Sequence, residues 1–374
     1  MLTTYSFQNL RRDLSEVFAT IVAGSPTFIS KIPIVGQARH YKHEWVEDVI
    51  QPTEDALDGA ILDSDTTITV DDGSKFKVGM IIGFVGYDEQ MKITAISGND
   101  LTVTRGYGGT TAVAMDDNTV VRILYIPAAE GSEPGDDNWE EPGTEYNYTQ
   151  IFTRTIRVSN TARNSRHLVF EDLIDRGVRD GLIQLEMEMN HAAIYGRRYA
   201  DTSDPSVPRT LGGVIYFIDQ PDGNTHDASG AELTTTMMND ILEEIAKDGG
   251  QPNLILVGTK QARKISSFNL TSGSAPIVRT RMTDSRTGSA VYEFVGDLPL
   301  GMIETIVVDV NFPDDKVMFL DSRKLALVPM ENRGLSDFDA TPTGADFTAR
   351  RILGEYTLEV RNAKQAHGLI KNLG

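Results

Sequence analysis

The sequence predicts an α+β chain that carries a small all-β domain as an insertion. Three features lead to that expectation: a long amphipathic helix over residues 168–200, an alternation of helices and buried strands over 214–330, and five short alternating strands crowded between Ile61 and Ile126. With 374 residues, 40% hydrophobic and 24% charged, the chain has the balance of a soluble protein of two or three domains.

The first segment reads as a helix followed by an extended arm. Leu10, Leu14, Val17, Phe18 and Ile21 share a helical face, and Gly24, Ser25 and Pro26 stop it. The stretch SPTFISKIPIVG places two prolines among apolar residues. It suits an extended strand that docks on something else, and another subunit is the expected surface. Residues 37–50 alternate, with Tyr41, His43 and Trp45 on one face, and residues 51–61 lose periodicity and become acidic. The runs TTITV, VGMII, MKITAI, DLTVT and TVVRIL follow, separated by turns at Asp71-Asp72-Gly73, Gly86-Tyr87-Asp88, Gly98-Asn99-Asp100 and Gly106–Gly109. They predict a small closed barrel or sandwich with its own core.

Residues 127–150 hold seven acids (Glu130, Glu133, Asp136, Asp137, Glu140, Glu141 and Glu145) and no base, so they read as a solvated loop. YNYTQIFTRTIRVSN is a long strand pattern with Phe152, Arg154, Ile156 and Val158 on one face. The simplest topology pairs 38–48 with 146–159 as one long hairpin that carries the β module near its tip. A two-stranded hairpin needs a partner surface. In the long helix, Phe170, Leu173, Ile174, Val178, Gly181, Leu182, Leu185, Met189 and Ala192 trace the apolar stripe of a structural spine. A linker at 202–213 leads to the helix MMNDILEEIAKDGG, the strand NLILVGT, the helix TKQARKISSFN and further strands, and Tyr356, Leu358 and Val360 mark a last alternating strand.

No catalytic, cofactor or metal site is expected. The chain has no cysteine, which removes disulfides, thiolate nucleophiles and Cys-ligated metals. A net charge of −19 argues against nucleic-acid affinity and suits a container wall that does not stick to packed nucleic acid. There is no signal-peptide pattern at the start and no apolar run of membrane-spanning length. His40 and His43 would point to opposite strand faces, so shared ligation with Glu44 is awkward. GYGG at 106–109 and GFVGYDE at 83–89 lack the Gly-Lys-Ser/Thr of a phosphate loop, and Asp63, Asp65, Asp71 and Asp72 lack the spacing of a calcium loop. There is no Gly-x-Ser-x-Gly elbow and no His-Glu-x-x-His helix. Arg197 and Arg198, expected at the end of the spine helix, suit its C-terminal dipole or a neighbour's acids.

The order arm, hairpin, spine helix, α/β domain, terminal strand resembles the major capsid proteins of tailed bacteriophages and the bacterial encapsulins. The segments SFQNLRRDLSEVFATIVAGSPTFISKI, HEWVED, NYTQIFTRTIRVSNTA and ILEEIAKDGGQPNLILVGTKQARKISSF resemble the major head proteins of the SU-ten type, in order, across nearly the whole chain outside 61–126. The resemblance implies an N-arm at 1–36, an E-loop at 37–60 and 127–160, a peripheral domain with the spine helix at 161–213 and 336–374, and an axial domain at 214–335. The β domain at 61–126 is then an insertion that the minimal fold lacks.

The resemblance also implies a virion shell protein made in the host bacterial cytoplasm. It would associate with itself in pentamers and hexamers and enclose double-stranded DNA without sequence-specific binding or any membrane. A portal, a decoration protein and a scaffolding protein are the further partners, and the start at Met1 favours a separate scaffold. Expected subunit-contact residues are Phe28, Ile32, Tyr41, Trp45, Phe152, Arg154, Ile156, Arg197 and Arg198. An encapsulin-like compartment shell remains an alternative, as does an α/β enzyme built on 214–330.

Overall fold

The computed structural model describes residues 27–48, 54–128, 130, 142–164, 173–204, 206–221, 223–271, 278–282, 290–294 and 305–374. The expected helix over 10–21, the first turn of the spine helix and most of the acidic loop lie outside these residues. Two compact units emerge, one made of Met1–Glu47 with Thr144–Gly374 and the other of Asp48–Gly143.

The large unit is organised by the helix Leu173–Tyr195, whose face of Ile174, Gly181, Leu185, Met189, Ala193 and Ile194 is buried. Its 23 residues span about 35 Å at 1.5 Å rise. The helix packs on a ribbon of two long antiparallel strands, Gln150–Ser159 and Phe347–Val360, in register from Phe347↔Ser159 to Tyr356↔Gln150. Two glycines make that approach close. A Cβ on Gly177 would lie 2.7 Å from Ile156 Cγ2, and one on Gly181 would lie 3.1 Å from Ile352 Cδ1.

This pairing corrects the expected long hairpin. Lys42–Glu47 pairs only with Gly143–Tyr148, Thr149 forms the corner, and from Gln150 onward the strand joins Phe347–Val360 instead. The helix also ends earlier than expected. Gly196 N–H donates to Ala192 O (2.9 Å) and a Cβ on Gly196 would meet that oxygen at 2.4 Å, so Arg197 and Arg198 lie beyond the helix rather than in its last turn.

The second core of this unit belongs to a five-stranded mixed sheet in the order Asn224–Asp227, Gly368–Lys371, Val317–Leu320, Leu254–Val257, Thr305–Val308. LILV and VMFL are buried throughout, as central strands covered on both faces must be. The helix Thr235–Lys247, capped by Thr234 Oγ1 accepting from Met237 N–H (3.2 Å), lays Met238, Ile241 and Ile245 on that sheet. The final strand Gly368–Lys371 thus lies within the α/β sheet rather than with the spine helix.

Among the described residues the smaller unit has six strands, in the order Glu54–Ala56, Val120–Tyr125, Ile81–Phe84, Tyr87–Ser97, Asp100–Thr104, Thr67–Thr69. Backbone bonds from Asp58 N to Thr69 O (3.0 Å) and from Asp71 N to Ala56 O (3.1 Å) join the two outer strands and close the sheet into a barrel. Its interior is Leu57, Ile68, Val70, Phe76, Met80, Ile82, Phe84, Met91, Ile93, Leu101, Val103, Met115 and Val121, among others. The insertion therefore starts before Ile61. Glu54–Ala56 and Leu57 belong to it, although the acidic composition there hides the strand.

Candidate assembly surface

The base of the short ribbon is locked to its own unit. Asn147 is fully buried and donates from Nδ2 to Gly212 O (2.9 Å) and Leu358 O (2.8 Å), while its Oδ1 accepts from Gly212 N (2.7 Å) and Tyr148 N (2.8 Å). Every bonding position of the amide is used. Trp45 packs edge-on against Phe217 at 5.9 Å and donates its indole N–H to Glu47 Oε1 (2.7 Å), which also accepts from Asn362 N (2.8 Å).

Two buried carboxylates finish the lock. Glu355 accepts from Thr149 Oγ1 (2.6 Å) and pairs with Arg209 (3.1 Å) and Arg333 (2.7 Å). Glu359 pairs with His43 Nε2 (2.6 Å) and with Arg361. Burial works against the Glu359 charge, but the His43 and Arg361 hydrogen bonds outweigh it and hold the carboxyl below its ordinary value.

The expected contact residues divide into two groups. Phe28, Ile32, Trp45 and Phe152 are buried in this chain's own core, so their apolar area is already covered within one protomer. Residues 33–38 likewise run along Leu325–Pro329 of the same chain, through Leu327 N to Pro33 O (2.9 Å) and Ala38 N to Pro329 O (2.9 Å). Ile29 N–H is held by Asn190 Oδ1 at 3.0 Å. Ile156 is half-buried against the spine helix, Arg154 pairs with Glu188, and Arg198 pairs with Glu145 and lies 3.9 Å from the Tyr146 ring centroid. Tyr41, half-buried, stacks on Tyr148 at 6.1 Å beneath Arg209, and Arg197 is exposed.

The open apolar surface lies elsewhere, on Ile34 (67% exposed), Val46 (67%), Val310 (64%), Ile151 (45%) and Phe338 (42%). Alternation within the strands could have indicated Val46 and Ile151, since each is offset by one from a core residue (Trp45 and Phe152). Among the described residues no group of three or more His, Asp or Glu side chains could hold a metal ion, and no described helix is long and apolar enough to cross a membrane.

Comparison with known proteins gives this surface its setting. The major capsid protein of Pseudomonas phage PaMx41 is 22% identical over 214 residues, covering 57% of this chain and 51% of that protein, so the chain spans about half the length of the curated relative it matches. The capsid asymmetric unit of cyanophage A-1(L) superposes with a TM-score of 0.55 at 10% identity, over 100% of this chain and 99% of that one. A chain from Mycobacterium phage Cain gives 0.52 at 10% identity, over 100% and 98%. At such identities the likeness establishes the fold, which is that of phage capsid subunits. The sequence itself matches the description "SU10 major capsid protein" over residues 1–374, and this chain belongs to that family.

Proposed function

We propose that copies of this chain associate into the closed head shell of a tailed bacteriophage and enclose its double-stranded DNA. The observation that carries this is the family match along the entire chain, in a fold shared with capsid subunits over its full length. In this reading residues 1–36 act as the N-arm, 37–47 and 144–160 as the E-loop's anchored base, the spine helix and long ribbon as the peripheral domain, and the five-stranded sheet with its helices as the axial domain. Head-to-tail contacts that close by rotation give rings of five and six, and such rings tile a shell. Obligate contacts of that kind bury on the order of 2,000 Å² or more.

The net charge of −19 favours a wall over which packed DNA slides. The chain acts without catalysis, in the virion, after synthesis in the bacterial cytoplasm, and works with a scaffold, a portal and a decoration protein. Light scattering with negative-stain microscopy tests the reading. Megadalton spherical particles are expected, and monomers at every salt and protein concentration would overturn it. Nuclease-protected DNA inside particles isolated from infected cells separates a phage head from a cargo-enzyme compartment.

A further inference from the structure

We propose that Asn190 is a positioning residue that couples docking of the arm to the loop Asp309–Phe312, so that loosening one loosens the other. The coupling lies within one protomer and goes beyond the shell reading, so its test does not depend on particles forming.

The starting point is a buried amide in an apolar stripe. The inner face of the helix Leu173–Tyr195 holds Ile174, Gly181, Leu185, Met189, Ala193 and Ile194, and Asn190 lies among them at 1% exposure. Asparagine is a poor helix former, and its amide is costly to bury unless it is hydrogen-bonded. Both ends of this amide are used. Oδ1 accepts from Ile29 N–H (3.0 Å), and Nδ2 donates to Asp309 Oδ2 (2.7 Å). Asp309 is itself fully buried, and its Oδ1 accepts from Asn311 N–H (2.9 Å). One side chain thus joins the arm, the spine helix and the loop that leaves the strand Thr305–Val308.

The two contacts depend on each other through the direction of the amide. The Asp309 carboxylate accepts, so Nδ2 must face it, and the arm's backbone N–H donates, so Oδ1 must face the arm. A flipped amide would set donor against donor on one side and acceptor against acceptor on the other. Loss of either contact therefore weakens what fixes the other.

Both segments rely on the contact. Ile29 opens the short 3-10 turn Ile29–Lys31, where the first N–H has no partner within the helix. Phe28 and Ile32 on either side are buried in the core that also holds Met189 and Phe312. The loop is pinned by Asp309 N–H to Val257 O (3.0 Å), by Phe312 N–H to Asp309 O (3.1 Å) and by the Tyr195 hydroxyl to Asn311 O. Its outer side carries Val310, 64% exposed, beside Val308. Drawing the arm off its protomer thus loosens this apolar edge of the α/β sheet.

Hydrogen exchange on the full-length protein tests the coupling. Phe28→Ala loosens the arm and is expected to speed exchange at Asp309–Phe312 about tenfold, within the usual range of coupling between sites. Asp309→Asn is expected to speed exchange at Ile29–Ile32 by a similar factor, because coupling is reciprocal. With Asn190→Leu already present, Phe28→Ala should add nothing at the loop. The helix Thr235–Lys247, in the other core, reports global unfolding and should stay unchanged. Equal acceleration in that helix, an unchanged loop in Phe28→Ala, or the same loop response with Asn190→Leu present overturns the proposal.

Asn190→Asp gives a second readout, one that lost packing does not move. It keeps an acceptor for Ile29 N–H but sets a second carboxylate against Asp309, in surroundings that also hold Tyr195, Asp314 and Asp315. Its loop should be loose at about pH 7 and regain protection as pH falls toward about 5, when the pair shares one proton. A loop whose protection does not change with pH in Asn190→Asp, or the same recovery in Asn190→Leu, also overturns the coupling.

Discussion

The two units of this chain bury a charge pair in different ways. In the barrel, Glu89 is fully buried against Arg105, with Nε to Oε1 at 2.7 Å and Nη2 to Oε2 at 2.8 Å. Gly106 N and Val113 N also donate to that carboxylate, and the remaining Arg105 donors reach Leu62 O, Asp65 O and Val113 O. All of this lies within residues 62–113, and the pair ties turns of one local meander together. In the large unit, Glu355 and Glu359 bind the nearby Arg333 and Arg361, but also Thr149, Arg209 and His43, which lie 206, 146 and 316 residues away. The barrel's polar centre closes a local structure, while those of the large unit hold remote segments in register. Local contacts form at low loop-closure cost and remote ones do not, so the barrel has the topology of an independently folding passenger.

The comparison breaks most readily at Glu89. Glu89→Ala leaves Arg105 buried and unpaired, a loss of about 3–5 kcal/mol that the small barrel cannot absorb. Calorimetry should show the barrel transition disappear while the helical signal of the large unit melts as before. Loss of both together would show the units to be one cooperative block. Phe152→Ala and Trp45→Ala should each cost the large unit about 3–5 kcal/mol through lost core packing, and leave the barrel's melting unchanged. Reduced assembly with full protomer stability in either variant would place the side chain at a subunit contact instead.

Acid should separate the units next. All six histidines lie outside residues 48–143. Burial drives His367 from 6.5 down to about 4. Its folded value lies below its unfolded one, so its stabilisation is complete above pH 6.5 and shrinks as pH falls toward 4, by about 3 kcal/mol in all. Stability measured by denaturant titration between pH 7 and 4 should fall in the large unit, and His367→Gln should flatten that slope.

The barrel should respond only at lower pH. Burial opposes the Glu89 charge, but Arg105 and the Val113 and Gly106 N–H groups outweigh it and hold the carboxyl below its ordinary value. Its stabilisation is therefore present above the usual carboxylate range and is lost as pH falls through that lowered value. Equal acid sensitivity of both units above pH 5 would contradict this. The smallest effect is expected at Arg122, whose pairing with Glu54 is largely solvated. Arg122→Ala should shift barrel stability by less than about 1 kcal/mol, against the several lost at Glu89.

The same contrast explains what could be read in advance. Five of the barrel's strands are visible because each is an apolar-rich run bounded by turn residues, and the central three, Ile81–Phe84, Tyr87–Ser97 and Asp100–Thr104, pair across Gly-containing turns. Glu54–Ala56 is hidden because its partner, Val120–Tyr125, is remote and its own composition is acidic. Gln150–Ser159 is evident as a strand, yet its partner lies some two hundred residues away, so pairing it with the nearer 38–48 was the economical error. Phe28, Ile32, Trp45 and Phe152 are legible as apolar anchors, but their sequence positions do not reveal that the covering surface belongs to the same chain.

By itself the sequence determined the element types, the alternation that assigns each strand an inner and an outer side, the absence of thiol chemistry, the acidic balance and the family. The tertiary structure alone decided which strands meet, where Thr149 turns the chain from one sheet to the next, and which arginines are left facing solvent. The physical reason is that periodicity is a property of neighbouring residues and states only that a face must be covered. What covers it is settled by packing between segments whose separation along the chain leaves no trace in either one.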